Sequence, residues 1–262
     1  MAIFPNIQLR YLLCCEYFLF MFLALLCKWM NPVISRDGVL YLLMARAWSE
    51  GGSYENMLTV YPEQQWIPAF PIFLVENLSS FGISYESAGV AISITLGSSL
   101  PLLVFSLSQE IQHDKRISLA ASFLMLFNPS MIELACEVQR DMIYLAFSGW
   151  AVFFAIKGLM RQLIWPWMPA GILGAFAILT RYEAFELFPI LMIAFLVFGL
   201  KKVLPWKKIA RQGIVFVVCC SVTYGCLIYI MGVNNHIFTT YSRYFTQKWR
   251  RVECSLTPPE KK

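Results

Sequence analysis

Residues 164–200 read IWPWMPAGILGAFAILTRYEAFELFPILMIAFLVFGL, and the way this run divides decides the fold. A membrane span needs about 20 apolar residues, so the run is too long to cross once. Arg181, Glu183 and Glu186 stand near its middle, where one continuous helix would hold them at mid-membrane at high cost. Two helices joined by a tight turn at Thr180-Arg181-Tyr182-Glu183 avoid that cost. The hairpin also sets Lys157 and Arg161 on the same side as Lys201, Lys202, Lys207, Lys208 and Arg211.

The rest of the chain reads in the same way. Of its 262 residues 58% are hydrophobic and 14% charged, with mean hydropathy +0.61. Soluble domains carry about a quarter charged residues, so a soluble enzyme, a disordered chain and a nucleic-acid-binding domain are all excluded. The net charge of +5 comes from short Lys/Arg clusters between apolar runs, the pattern that fixes topology. The expected fold is an all-α membrane protein with seven spans, near 11–30, 84–108, 117–136, 142–157, 164–180, 184–200 and 212–232. Residues 1–262 form one module, with a short basic tail over 233–262. The first run is too long for a signal-peptide core and reads as a retained span. The eight cysteines include no C-x-x-C pair and mostly fall in apolar runs, so they read as small hydrophobes rather than a disulfide or zinc framework.

The connection 31–83 is too mixed for a simple loop. Asp37 to Glu50 is amphipathic, with Val39, Leu40, Leu43, Met44, Ala47 and Trp48 on one face and Asp37, Tyr41 and Ser49 on the other. Such a segment is expected to lie flat at the interface. Trp66 to Leu78, interrupted by Pro68 and Pro71, reads as a second surface helix. Counting spans then places Asp37, Glu137–Asp141, Arg181–Glu183 and His236 on one face, opposite the basic loops. That face also gathers Glu50, Glu55, Glu63 and Glu133, whereas the opposite loops hold only Glu110 and Asp114. By the positive-inside rule the basic face and the N-terminus are cytoplasmic, in a multi-pass inner or plasma membrane protein. The tail disagrees, because Arg243, Lys248, Arg250 and Arg251 fall on the outer side by the same count.

Carboxylates interleaved with arginines at a membrane surface suit one kind of chemistry. A carboxylate serves as general base toward a hydroxyl or as a metal ligand, and arginine stabilises charge on a phosphate leaving group. The combination fits transfer of a sugar from a lipid phosphate. Arg36-Asp37-Gly38-Val39-Leu40-Tyr41, leading to Ala45 and Gly51, resembles the first external loop of the dolichyl-phosphate-mannose-protein mannosyltransferase-like family of GT-C membrane glycosyltransferases, which includes the aminoarabinose transferases. Pro68-Ala69-Phe70-Pro71 resembles that family's H-P-L-Y-P segment, with Ile67 where His or Lys is common. Asn128-Pro129 and Glu137-Val138-Gln139-Arg140-Asp141-Met142-Ile143-Tyr144 resemble its second external loop. Ala170-Gly171-Ile172-Leu173-Gly174 through Thr180-Arg181-Tyr182-Glu183 resembles its hairpin.

The resemblance implies a seven-span module with two juxtamembrane helices in the first external loop. It further implies inverting transfer from a polyprenyl-phosphate sugar, with Asp37 as base and Asp141 near the acceptor or a metal. Arg36, Tyr41, Arg140, Arg181 and Glu183 are the candidate substrate contacts. Glu137 and Asp141, at i and i+4, would share a helix face and pinch a divalent metal. Each residue has a plainer alternative. Asp37 suits a helix N-cap, Asp141 a cap of the next span, Arg181 with Glu183 a turn pair, and His236 an ordinary loop position. The expected partners are the lipid-linked donor, the bilayer, and an acceptor that is glycan, lipid or protein, with no nucleic acid. Two rival functions stand beside transfer: a transporter or lipid flippase, and an accessory or truncated subunit without turnover.

Overall fold

The computed structural model describes residues 7–51 and 69–231. Glu55, Glu63, Ile67, Pro68, His236 and the basic tail lie outside the described residues. Among those described, the order is α1 (Ile7–Met30), α2 (Arg36–Gly51), α3 (Ala69–Ser79), α4 (Tyr85–Gly97), α5 (Leu100–Gln112), α6 (Lys115–Leu126), α7 (Pro129–Cys136), α8 (Arg140–Met160), α9 (Trp167–Thr180), a 3-10 turn (Tyr182–Glu186), α10 (Leu187–Leu200) and α11 (Trp206–Ile230), with no strand.

Among the described residues, five helical segments are long and apolar enough to cross a bilayer: Leu9–Met30, Tyr85–Gln112, Arg140–Met160, Tyr182–Leu200 and Trp206–Ile230. A sixth is α6 with α7, bent by 54°. The bend falls at Asn128, whose side chain accepts from the Met131 N–H, with Pro129 next in the first turn. Proline is at home there because its missing N–H has no helical partner to lose. Asn128-Pro129 therefore marks the break between two apolar helices that form either one bent span or a re-entrant hairpin. Seven spans are not reached on length, because α9 has only 14 residues, about 21 Å of helix.

The divided run behaves as its charges require. Arg181 leaves the helix with φ −145° and ψ 137° between α9 and the 3-10 turn. α10 then returns antiparallel, so that Trp167 at the start of α9 meets Phe195 at a ring-centroid distance of 5.0 Å. α9 sits between α8 and α11, and its small residues permit that. A Cβ on Gly171 would stand 2.6 Å from the Phe216 carbonyl oxygen.

Cross-contacts sort the helix ends into two sets. At one end Lys28 of α1 pairs with Glu86 of α4 at 3.3 Å, and Arg181 joins Asp141 of α8. At the other, Arg161 after α8 makes a bidentate pair with Glu110 of α5 at 2.6 and 2.7 Å. There also Lys208 donates to Gln162 and Gln162 to the Val203 carbonyl. We call these the acid end and the basic end. Lys157 departs from the expected loop role: α8 runs on to Met160 and buries it, with Nζ over the rings of Trp165 and Phe153 at 5.0 and 5.5 Å. Glu16, midway along α1, is also buried. It accepts from the Ser122 hydroxyl at 3.1 Å, while its second oxygen has no hydrogen-bond partner.

Both short helices pack differently from a simple surface arrangement. Tyr41, Met44 and Ala45 of α2 are buried, while Val39 and Leu43 are about half exposed. Tyr41 thus belongs to the inward face and not to the polar one. In α3 the residues Ala69, Phe70, Pro71, Ile72 and Val75 are buried, and Phe70 stacks on Phe176 of α9 at 4.7 Å. The aromatic pair ties the first connection to the centre of the bundle.

Candidate active site

The acid end brings together the beginnings of α2 and α8 and the break after α9. Ser35 opens α2, its hydroxyl accepting from the Gly38 N–H at 3.1 Å. That hydroxyl occupies the capping position, so Asp37 is not the N-cap. Its carboxylate instead projects from the first helical turn and is exposed, where the helix dipole favours negative charge. Gly38 lies against the second acidic segment. A Cβ there would fall 2.8 Å from the Val138 carbonyl oxygen, so glycine is what lets the two segments touch.

Residues 137–139 are not helical. Glu137 is extended with φ −97° and ψ 154°, its carboxylate accepts from the Gln139 amide, and α8 starts only at Arg140. Glu137 and Asp141 therefore do not share a helix face, and the expected metal pinch fails in its geometric premise. Asp141 is instead engaged by Arg181. Among the described residues no group of three or more His, Cys, Asp or Glu side chains could hold a metal ion. No chemistry is assigned to a divalent cation.

Arg181 is the junction of the site. Its guanidinium joins Asp141 through Nη1, and reaches Glu183 through Nε at 3.2 Å and Nη2 at 3.1 Å. It also lies 5.6 Å from the centre of the Tyr144 ring. The planar fork of arginine satisfies two carboxylates at once, which a lysine cannot reproduce. Tyr144 closes the second-loop motif without a role assigned from sequence, and its i+3 spacing from Asp141 puts it on the same face of α8.

Tyr41 marks how the two segments converge. Burial pushes its phenol above the ordinary tyrosine range, and the charges of Arg140, Asp37 and Arg181 all act on it. One side chain of the first connection thus sits within the field of all three charged segments. Arg140 has no ion-pair partner among the described residues, and neither has Asp37. The site therefore holds one neutralised cluster, Asp141–Arg181–Glu183, beside an exposed carboxylate and an arginine not committed to an ion pair. Arg36 is exposed at the start of α2.

No curated protein matches the chain. A family model does: residues 68–225 match dolichyl-phosphate-mannose-protein mannosyltransferase. The match takes in the second acidic segment, the α9 hairpin and most of α11. Because it covers more than half of the 262 residues, the chain belongs to the dolichyl-phosphate-mannose-protein mannosyltransferase family.

Proposed function

We propose that the protein is a GT-C-type glycosyltransferase that moves a sugar from a polyprenyl-phosphate donor to an acceptor hydroxyl at the extracytoplasmic face. Family membership supports the reaction class and the lipid-linked donor. The observation that carries the site is the contrast between the two aspartates: Asp141 is spent on Arg181, while Asp37 stays exposed within the charge field shared with Arg140. A general base must be free to take a proton, and a carboxylate bound to a guanidinium is a poor one.

In this reading the acceptor O–H gives its proton to the Asp37 carboxylate as the oxygen attacks the anomeric carbon. The bond from that carbon to the phosphate oxygen breaks, and its electron pair leaves on the polyprenyl phosphate. One in-line displacement inverts the anomeric centre. Arg140 stabilises the charge growing on the phosphate. Arg181 holds Asp141 so that the acceptor side is shaped before substrate arrives, which is where proximity contributes to rate. Arg36 lines the donor approach. α9 makes up the seventh crossing of the implied module, joined to α10 by the Arg181 break. Orientation follows the basic loops, which put the N-terminus in the cytoplasm.

The test is consumption of a radiolabelled polyprenyl-phosphate sugar by membranes containing the protein. Asp37→Asn removes the base and keeps the shape, so turnover is expected to fall by about 100-fold or more. Undiminished consumption by that variant would refute the assignment.

A further inference from the structure

Two thiols meet at the acid end. Cys27 lies in the last turn of α1 and Cys136 is the final residue of α7, and their sulfurs are 3.3 Å apart although 109 positions separate them. Cys27 is half-buried and Cys136 buried. The Cys136 thiol also donates to the Glu133 carbonyl at 3.0 Å. The neighbourhood is held from several sides. Lys28, the next residue after Cys27, pairs with Glu86, and Gly97 of α4 packs on Ala135 so closely that a Cβ there would fall 2.9 Å from it.

We propose that Cys27 and Cys136 form a disulfide in the native protein, stapling together the two segments that carry Asp37 and Asp141. The proposal rests on the reading that the acid end faces the extracytoplasmic, oxidising side. A bonded sulfur pair is about 2.05 Å apart, so closure asks for a shift of little more than about 1 Å. The route is exchange with an external disulfide. The Cys27 thiolate attacks one of its sulfurs and expels the other as a thiolate. Cys136, having lost its proton, then attacks Cys27 in the mixed disulfide and releases the second thiolate. The protein loses two electrons and two protons, and the external disulfide becomes two thiols. The bond lies ten residues before Asp37 and five before Asp141, and so fixes the roots of both segments without touching either carboxylate.

The experiment starts from cells lysed into N-ethylmaleimide, followed by non-reducing digestion and mass spectrometry of the full chain. A linked peptide pair containing Cys27 and Cys136 is expected, lost on reduction and absent from Cys27→Ser and Cys136→Ser. Both thiols recovered as maleimide adducts would overturn the proposal, and so would a bond that appears only after membranes are treated with diamide. Sidedness is read separately. Ser80, exposed in the turn before α4, is replaced by cysteine (Ser80→Cys) in the double-serine background and probed on whole cells with an impermeant maleimide. A native bond together with an unlabelled position 80 would uphold the pairing and refute the orientation. Reduction of the native protein is expected to lower its Tm by about 10 °C, as the loop of 109 positions that the bond closes is released.

Discussion

Arg181 shows what a single residue type contributes here. It closes α9, pairs with a carboxylate from each side of the break, and rests over Tyr144. Arg181→Lys keeps the charge and loses the fork, leaving Asp141 or Glu183 without a donor. Loss of such charged hydrogen bonds is worth about 2 kcal/mol. The expected outcome is a lower Tm and a kcat reduced more than KM is raised, measured with the lipid-linked sugar assay. A variant that transfers normally with an unchanged Tm would mean that the fork is ornamental. At this scale the sequence was only half readable. The residue types and their order pointed to Asp37, Arg140, Asp141 and Arg181. Which of them are paired depended on partners 40 residues apart, and on Ser35 rather than Asp37 opening α2. Tyr41 was assigned to the wrong face because its helix buries a narrow Tyr41–Met44–Ala45 stripe and leaves Val39 and Leu43 exposed.

Among the elements, α9 is the most constrained. Its Ala170-Gly171 and Gly174-Ala175 pairs are buried, and they bring its backbone against α11. Between helices without water to expel, close backbone approach and dispersion supply the attraction, which is why small residues gather at such contacts. Gly171→Val would drive a branched side chain into the Phe216 carbonyl and the Cys219 side chain. Overpacking of this kind costs about 1–3 kcal/mol, so the variant is expected to lose yield and thermal stability in detergent, read by size-exclusion chromatography after a heat step. Gly174→Ala, whose added Cβ would meet the Phe216 ring at 3.6 Å, is the tolerated control. Helix endings follow a common pattern. α5, α8 and α10 each run toward the basic end and are followed by a residue with positive φ: His113 at 58°, Gln162 at 56° and Lys202 at 54°. None is a glycine, so no sequence cue marked these left-handed stops, and the apolar period alone left α8 three residues short.

At the scale of the molecule, charge is divided between two ends, and each end is tied by its own pair. The basic end is held by Glu110 and Arg161, with the glutamate almost fully buried. Removing Glu110 takes away two charged hydrogen bonds but leaves Arg161, about a third exposed, able to be solvated, so the cost is about 1–2 kcal/mol. Glu110→Ala should therefore destabilise the bundle while leaving the acid end intact. We expect a marked fall in Tm, with donor KM in the surviving fraction unchanged. A changed KM would reveal communication between the ends. The two-ended plan was legible from the sequence because parity depends only on the number of crossings. The count of seven is not settled by length, because α9 has 14 residues where a straight crossing takes about 20.

That shortness has a consequence for the surrounding lipid. A helix of about 21 Å cannot match a hydrocarbon layer of about 30 Å, and mismatch is relieved by thinning the layer or sinking one terminus into it. Trp165, half exposed, precedes the basic-end terminus, and tryptophan favours the headgroup level. Were that terminus held at the headgroup level, an untilted helix of this length would end roughly 9 Å short of the opposite surface unless the layer thins around it. Under the proposed function, a lipid phosphate would then reach Arg140 from the side, within its own leaflet.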